Sequence, residues 1–359
     1  MNRLEIASRR LHNQGLWGVP SARPEEALRR LGAMQAQEFQ YAKWSLAQRS
    51  GDPGVATIDD AFGDGRILRT HLLRPTWHFV TAGDIRWMLE VTAPRVHALN
   101  TYMYRQTELD RALLNRSAKL IARALAGGQH LTRKEVGAVL GRAGIVASGV
   151  RLGYILINAE LNAVICSGAM RGKQQTYALL AERAPRAMSL DRDVALAELT
   201  RRYFVSRGPA TLKDYLGWSS LTAAEGRRGL EMVKAELEQE VVEGRTYWFA
   251  PSARPADPPS PVVDMVQIYD EYVMGYSDSR DILHEAGSDG PLPFAEMPYF
   301  HAILIDGHLV GHWRHTVENA AVTIDTFTYR ALKAPEKRAL AAAVGRYGGF
   351  LGLPATIRS

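Results

Sequence analysis

What this sequence lacks narrows its reading first. It has one cysteine in 359 residues, Cys166, so the chain closes no disulfide on itself and ligates no all-cysteine iron–sulfur cluster alone. Cys166 sits in the apolar stretch YILINAELNAVICSG, where a packed thiol is expected rather than a reactive one. No apolar run is long enough to span a bilayer, and the opening MNRLEIASRR has no export-signal hydrophobic core. The expected setting is a reducing bacterial cytoplasm with no membrane partner.

The composition present, 46% hydrophobic and 23% charged, is globular and allows two to four domains. A formal charge of +6 makes a polyanionic partner reasonable. The stretch LEIASRRLHNQ has helical spacing, and Arg23-Pro24-Glu25-Glu26 opens a second helix, EEALRRLGAM. That pattern breaks at Gln35-Ala36-Gln37, before a third helical stretch, EFQYAKWSLAQRS, that ends ahead of Gly51-Asp52-Pro53-Gly54. RILRTHLL and TWHFV then read as strands joined at Arg74-Pro75. Helix, turn, helix and hairpin make the outline of a winged helix, with the glutamines in its turn. On a helix, residues two apart diverge by about 200°; in an extended segment they share a face. The break therefore makes Gln35 and Gln37 a possible pair.

The outline recurs. TRKEV (Thr132 to Val136) aligns with TLKDY (Thr211 to Tyr215), each after a glycine-marked break and each led by a cap-like threonine. Each unit closes on a strand pair with a basic turn, at Arg171-Gly172-Lys173 and at Gly244-Arg245. Insertions vary too much for a fixed-period array. After the proline-rich PSARPADPPSPVV come strand-like FHAILIDGHLVGHWRHTV and AAVTIDTFTY, with a hairpin at Asp306-Gly307, then a glycine-stopped helix, PEKRALAAAVGRYGGFLG. The expected fold is α+β: winged helices over residues 1–105, 106–188 and 189–252, then a β-rich domain over residues 253–359.

LGAMQAQ, LLRPTWHFVT, TLKDYLGWSSL and DEYVMGYSDSR, in this order along nearly the whole chain, resemble the AlkZ/YcaQ group of bacterial DNA glycosylases, built from tandem winged helices. The resemblance implies that Gln35, Ala36 and Gln37 form the Gln–aliphatic–Gln motif required for excision. It implies an enzyme on the AlkZ-like side that releases bulky alkylated bases, including interstrand cross-links, and in some members protects producers of alkylating metabolites. The expected reaction is metal-free and cofactor-free hydrolysis of N7-alkylpurine nucleotides in double-stranded DNA by a monomer. A non-enzymatic winged-helix transcription regulator is the alternative.

In RTHLLRPTWHFV, alternation puts Arg69 and His71 on one face, with Trp77 opposite His78 and Arg74 at the tip within reach of phosphate. These five, with Arg171, Lys173 and Gln174 of the second turn, are the expected DNA-facing residues. Glu38 is expected to complement a helix dipole. His308, His312 and His315 have ligand-like spacing, but a strand would split them between two faces. Asp270, Glu271, Asp278 and Asp281 are expected to pair with Arg280 at a domain junction.

Overall fold

The computed structural model describes residues 1–51, 54–251, 256–284 and 301–358. Helix α1 (Arg3–Asn13) is followed by α2 (Pro24–Leu31), which starts on proline and acids and stops at Gly32, φ +77°. A side chain is strained in that left-handed conformation, so glycine ends the helix cleanly. Strand β1 (Ala33–Gln35), α3 (Phe39–Ala47), α4 (Val55–Gly63), β2 (Ile67–Leu72) and β3 (Thr76–Thr81) complete the first unit. Its antiparallel sheet has the order β1-β3-β2, with Gln35 opposite His78. Gln35 thus closes a short strand and does not lie in a bare turn. Buried Ala33 and Met34 favour pairing with β3 over a free loop.

The same path is traced twice more. The long α5 (Ile85–Gln106) leads to α6 (Arg111–Leu125), β4 (Leu131–Thr132), α7 (Arg133–Arg142), α8 (Gly149–Leu161), β5 (Ile165–Ser167) and β6 (Thr176–Leu179), with sheet order β4-β6-β5. After α9 (Leu180–Arg183) come α10 (Arg192–Arg207), α11 (Leu212–Ser219), α12 (Ala223–Val233), β7 (Glu238–Val242) and β8 (Arg245–Phe249). Here a bridge from Ala210 to Trp248 stands where the first strand would be. Thr132 and Thr211, aligned in sequence, both form capping boxes, with Glu135 and Asp214.

Strand β9 (Val263–Val266), the short α13 (Glu271–Met274), β10 (His301–Ile305), β11 (His308–Glu318), β12 (Ala321–Thr328), α14 (Ala334–Leu351) and β13 (Ala355–Arg358) follow. The sheet order is β13-β12-β11-β10-β9, parallel only between β12 and β13. The hairpin at Asp306-Gly307 and the final helix lie where periodicity put them. Residues 52–53 and 252–255, inside the expected helix stop and linker, lie outside the described residues.

The cores interlock the units. α2, α3 and α4 bury Leu28, Trp44 and Phe62 against Ile303, Trp313 and Tyr347 of the last sheet and α14. Leu68 and Val80 of the first unit's sheet instead share a core with α5 and with Tyr203, Tyr215 and Trp218 of the third unit. Helix α1 packs on the third unit, through Ile6 and Ala7 against Val242 and Tyr247. Cys166 is buried, and burial pushes its thiol up to about 12, so it packs as a small apolar group.

Candidate active site

A buried ion pair holds the backbone of β1. Arg207, at the end of α10, donates through Nη1 to Leu31 O (2.7 Å) and through Nη2 to Ala33 O (2.8 Å). Its Nη2 and Nε also donate to Glu271 Oε2, at 2.6 and 3.0 Å, and Trp218 Nε1 donates to the same oxygen at 2.9 Å. The other oxygen, Oε1, accepts from Gln35 N at 2.7 Å. Arg207 and Glu271 are both fully buried. Burial alone raises the Glu271 pKa, but Arg207 and then Arg74 outweigh it and hold the carboxyl below its ordinary value. Three distant segments thus fix where the glutamine motif begins.

The pairing differs from the sequence expectation. Glu271 pairs with Arg207, and Asp270 with Arg49 through two bonds of 2.7 and 2.9 Å. Asp281 takes Arg3 and Arg245, Asp278 accepts from Thr211 Oγ1, and Arg280 Nε donates to Tyr276 O. Buried carboxylates need buried cations, and the arginines that supply them stand far away in sequence.

Gln35 is 3% exposed, whereas Gln37 is exposed. Gln35 Oε1 accepts from Arg74 Nη2 at 2.7 Å. A guanidinium only donates, so the amide orientation follows without ambiguity: oxygen inward, nitrogen away from Arg74. Among the described residues the Gln35 amide nitrogen has no hydrogen-bond partner. Gln37 Oε1 accepts a long bond, 3.4 Å, from Trp77 N, beside the bond from Ala36 N to Trp77 O.

Arg74 sits at the hairpin tip, yet its guanidinium turns inward. It donates to Trp218 O (2.8 Å) and Gln35, and lies 3.4 Å from His78 Nε2. Burial lowers its pKa, and Glu271 works against that. His78 is fully buried, and burial and then Arg74 push its pKa well below the ordinary histidine value, so the ring is neutral. Its Nδ1 donates to Thr76 O at 3.0 Å, which leaves Nε2 as the acceptor facing Arg74.

Arg69 and His71 are buried as well. Arg69 Nε donates to Ala36 O (3.0 Å), Nη2 to Gln37 O (3.3 Å) and Nη1 to Gln175 Oε1. Burial pulls its pKa down to about 10, and it remains charged near neutral pH. Its guanidinium lies 4.1 Å from the centre of the Trp77 ring, and His71, bonded to buried Glu160, lies against that ring at 4.6 Å, tilted by 45°. Both residues brace the motif and Trp77, where alternation alone suggested a DNA-facing strand. Half-exposed Trp77 opens onto a cleft of about 680 Å³ shared with the second unit. Arg171, Lys173 and Gln174 are exposed at the second hairpin. Arg171 is engaged by Glu135 (2.7 Å) and His130 O (2.6 Å), while Gln174 lines the cleft.

Glu38 makes no cap bond to α3; its carboxylate stands 3.8 Å from His301 Nε2, and burial raises its pKa. Because Ile268 N donates to His301 Nδ1 (3.2 Å), the neutral ring carries its proton on Nε2, toward Glu38. His312 bonds Tyr329 and His315 bonds Tyr347. No group of three His, Cys, Asp or Glu side chains that could hold a metal occurs among the described residues. Nor is any helix there long and apolar enough to cross a membrane.

These buried histidines set an acid sensitivity. Burial lowers His301 to about 3, well below an unfolded histidine near 6.5. Below about pH 6.5 the unfolded chain takes up protons that folded His301 and His78 refuse, so stability falls as pH falls. Asp264 works in the opposite direction: burial raises it to about 6, so the folded state gains a proton first and recovers stability between pH 6 and about 4. At pH 5 the loss from His301, on the order of 2 kcal/mol, outweighs the recovery from Asp264, on the order of 1 kcal/mol, and His78 adds to the loss. Chemical denaturation should therefore show lower stability at pH 5 than at pH 7. His301→Asn should flatten that slope.

A family model for AlkZ-like DNA glycosylases matches residues 28–350, which span the Arg207–Glu271 pair, both glutamines and four of the five strands of the last sheet. The chain belongs to the AlkZ-like DNA glycosylase family. It is accordingly an enzyme of the DNA glycosylase type, and the alternative of a non-enzymatic regulator gives way. The chain is similar to the interstrand DNA cross-link repair glycosylase of Streptomyces sahachiroi, 25% identical over 357 residues, with 94% of each chain covered. It also shares the fold of the solved Streptomyces sahachiroi DNA glycosylase AlkZ, with TM-score 0.77, 20% identity and all of both chains covered. Against this family, the sequence reading missed Arg207, Trp218 and Gln175. Trp218 lies in LGWSSL and pairs with Glu271 of DEYVMGYSDSR, two of the stretches that carried the resemblance.

Proposed function

We propose that this chain is a monofunctional DNA glycosylase that hydrolyses the N-glycosidic bond of N7-alkylpurines in double-stranded DNA, including bulky adducts and interstrand cross-links. Its three units, α–β–α–α–β–β in the first two and with a single bridge in place of the first strand in the third, act as winged helices over residues 1–105, 106–188 and 189–252, and the chain works as a monomer at the bacterial nucleoid. The role is repair of alkylation damage, general or in self-protection against an alkylating metabolite.

The observation that carries the reading is the asymmetry of the two amides. Arg74 claims the Gln35 oxygen at 2.7 Å, so Gln35 offers N–H donors, while exposed Gln37 keeps acceptor capacity. A water held between them receives a bond from Gln35 Nε2 at its oxygen and gives one to Gln37 Oε1. N7-alkylguanine is already cationic. When its C1′–N9 bond breaks, the electron pair stays on the base and neutralises it, so no general acid is needed. The water oxygen bonds to C1′ and its proton leaves to solvent. No lysine adjoins the glutamines in QAQEFQ, so no Schiff-base step follows. Trp77, Lys173 and Gln174 are the side chains left to meet DNA, and Arg69, His71, Arg74 and His78 act behind them.

Duplex DNA carrying one 7-methylguanine, incubated with the protein and then treated with alkali, should break at the lesion. Without alkali it should stay whole. Binding without base release from this or any bulkier N7 adduct would remove the reading.

A further inference from the structure

The cleft beside Gln37 has a chemistry of its own. Its floor is apolar, made by Trp77 of the first unit with Ala147, Leu152 and Tyr177 of the second, and its rim carries Arg133 and Lys134. No carboxylate among the described residues lines it. At about 680 Å³ it exceeds the space of a single base. One face of the Trp77 ring is covered by Arg69, 4.1 Å from its centre, and the residue's own N–H touches Gln37 Oε1. An occupant stacked there lies within one residue of the proposed water site. The two walls are tied together: Arg69 N donates to Ser167 Oγ at 2.7 Å, and Arg69 also bonds Gln175.

We infer that this cleft is a specificity subsite for the substituent on N7, taking a flat apolar arm that is neutral or anionic at its outer end. The inference rests on the N7-alkylpurine reading above. A cationic arm would meet Arg69 against the ring and exposed Arg133 and Lys134; the carboxylate that acts on Arg69, Glu160, is buried and already bonded to His71, and it does not line the cleft. Aromatic stacking at a half-buried tryptophan and burial of the arm favour the neutral occupant.

The test compares three adducts in duplex DNA: 7-methylguanine, N7-(biphenylmethyl)guanine, and the same biphenyl arm ending in trimethylammonium. In the wild-type protein kcat/KM should be at least tenfold higher for the neutral biphenyl arm than for the cationic one. In Trp77→Ala, and in Ala147→Phe, which fills the floor, the ratio of kcat/KM for biphenylmethyl over methyl should fall at least tenfold. Equal rates for the two arms, or a ratio unchanged in Ala147→Phe, would overturn the subsite. The wild-type comparison and Ala147→Phe keep the test decisive if Trp77→Ala fails to fold. Failure of the wild-type protein to release any of the three bases would instead strike the reading of the reaction.

Discussion

Glu271→Ala is expected to lower the free energy of unfolding by about 3–5 kcal/mol, the usual cost of stranding a buried charge. Glu271 is the carboxylate paired with fully buried Arg207, and it also faces Arg74. Its loss removes the acceptor of three cationic or indole N–H bonds and of Gln35 N at once. The double change Arg207→Met with Glu271→Leu should recover part of the stability, because Arg207 is then no longer an unpaired buried charge, while Arg74 still lacks Glu271. It should not recover excision, since Leu31 O and Ala33 O lose their donors and β1 loses its position. Urea denaturation read beside single-turnover excision separates the two effects. Equal recovery of both would show that the clamp does nothing for the site.

The second large effect concerns the glutamines. Gln35→Ala and Gln37→Ala should each slow base release by about 10²-fold or more, the scale seen when one oriented hydrogen-bond donor is removed from a reacting centre. Together they should cost little more than the worse single change, because both hold the same water. Gln37 is exposed, so its truncation should leave stability within about 0.5 kcal/mol. Gln35→Ala leaves Arg74 a donor short and should cost about 1–3 kcal/mol. DNA affinity, measured by gel shift, should barely change in either variant. Parallel loss of affinity and rate would recast the motif as a docking element.

Local signals carried much of this architecture. Pro24 with Glu25 and Glu26 marked the start of α2, and Thr132 and Thr211 the caps of aligned helices. The Arg74-Pro75 break marked a hairpin, because each signal acts within one turn of chain. The glutamine pair stood out because a helical period failed around it. Its surroundings were not legible in the same way. Arg74 at a hairpin tip reads as solvent-facing, and only the third unit's packing on that tip, through Trp218 O, turns it inward. Glu271 and Arg207 are 64 residues apart, and no periodicity connects them. Arg69 and His71 do share a strand face, as alternation implied, but that face meets the second unit at Gln175 and Glu160. Which partner covers a strand face is a tertiary fact.

In the proposed reaction Gln35 acts as a donor because Arg74 has taken its carbonyl oxygen. Gln35→Glu tests it most directly, by single-turnover excision of 7-methylguanine. Glutamate keeps the size and the Arg74 contact but offers no N–H. The rate should be as low as that of Gln35→Ala. A rate at or above wild type would mean that an acceptor or base suffices at this position, and would contradict it.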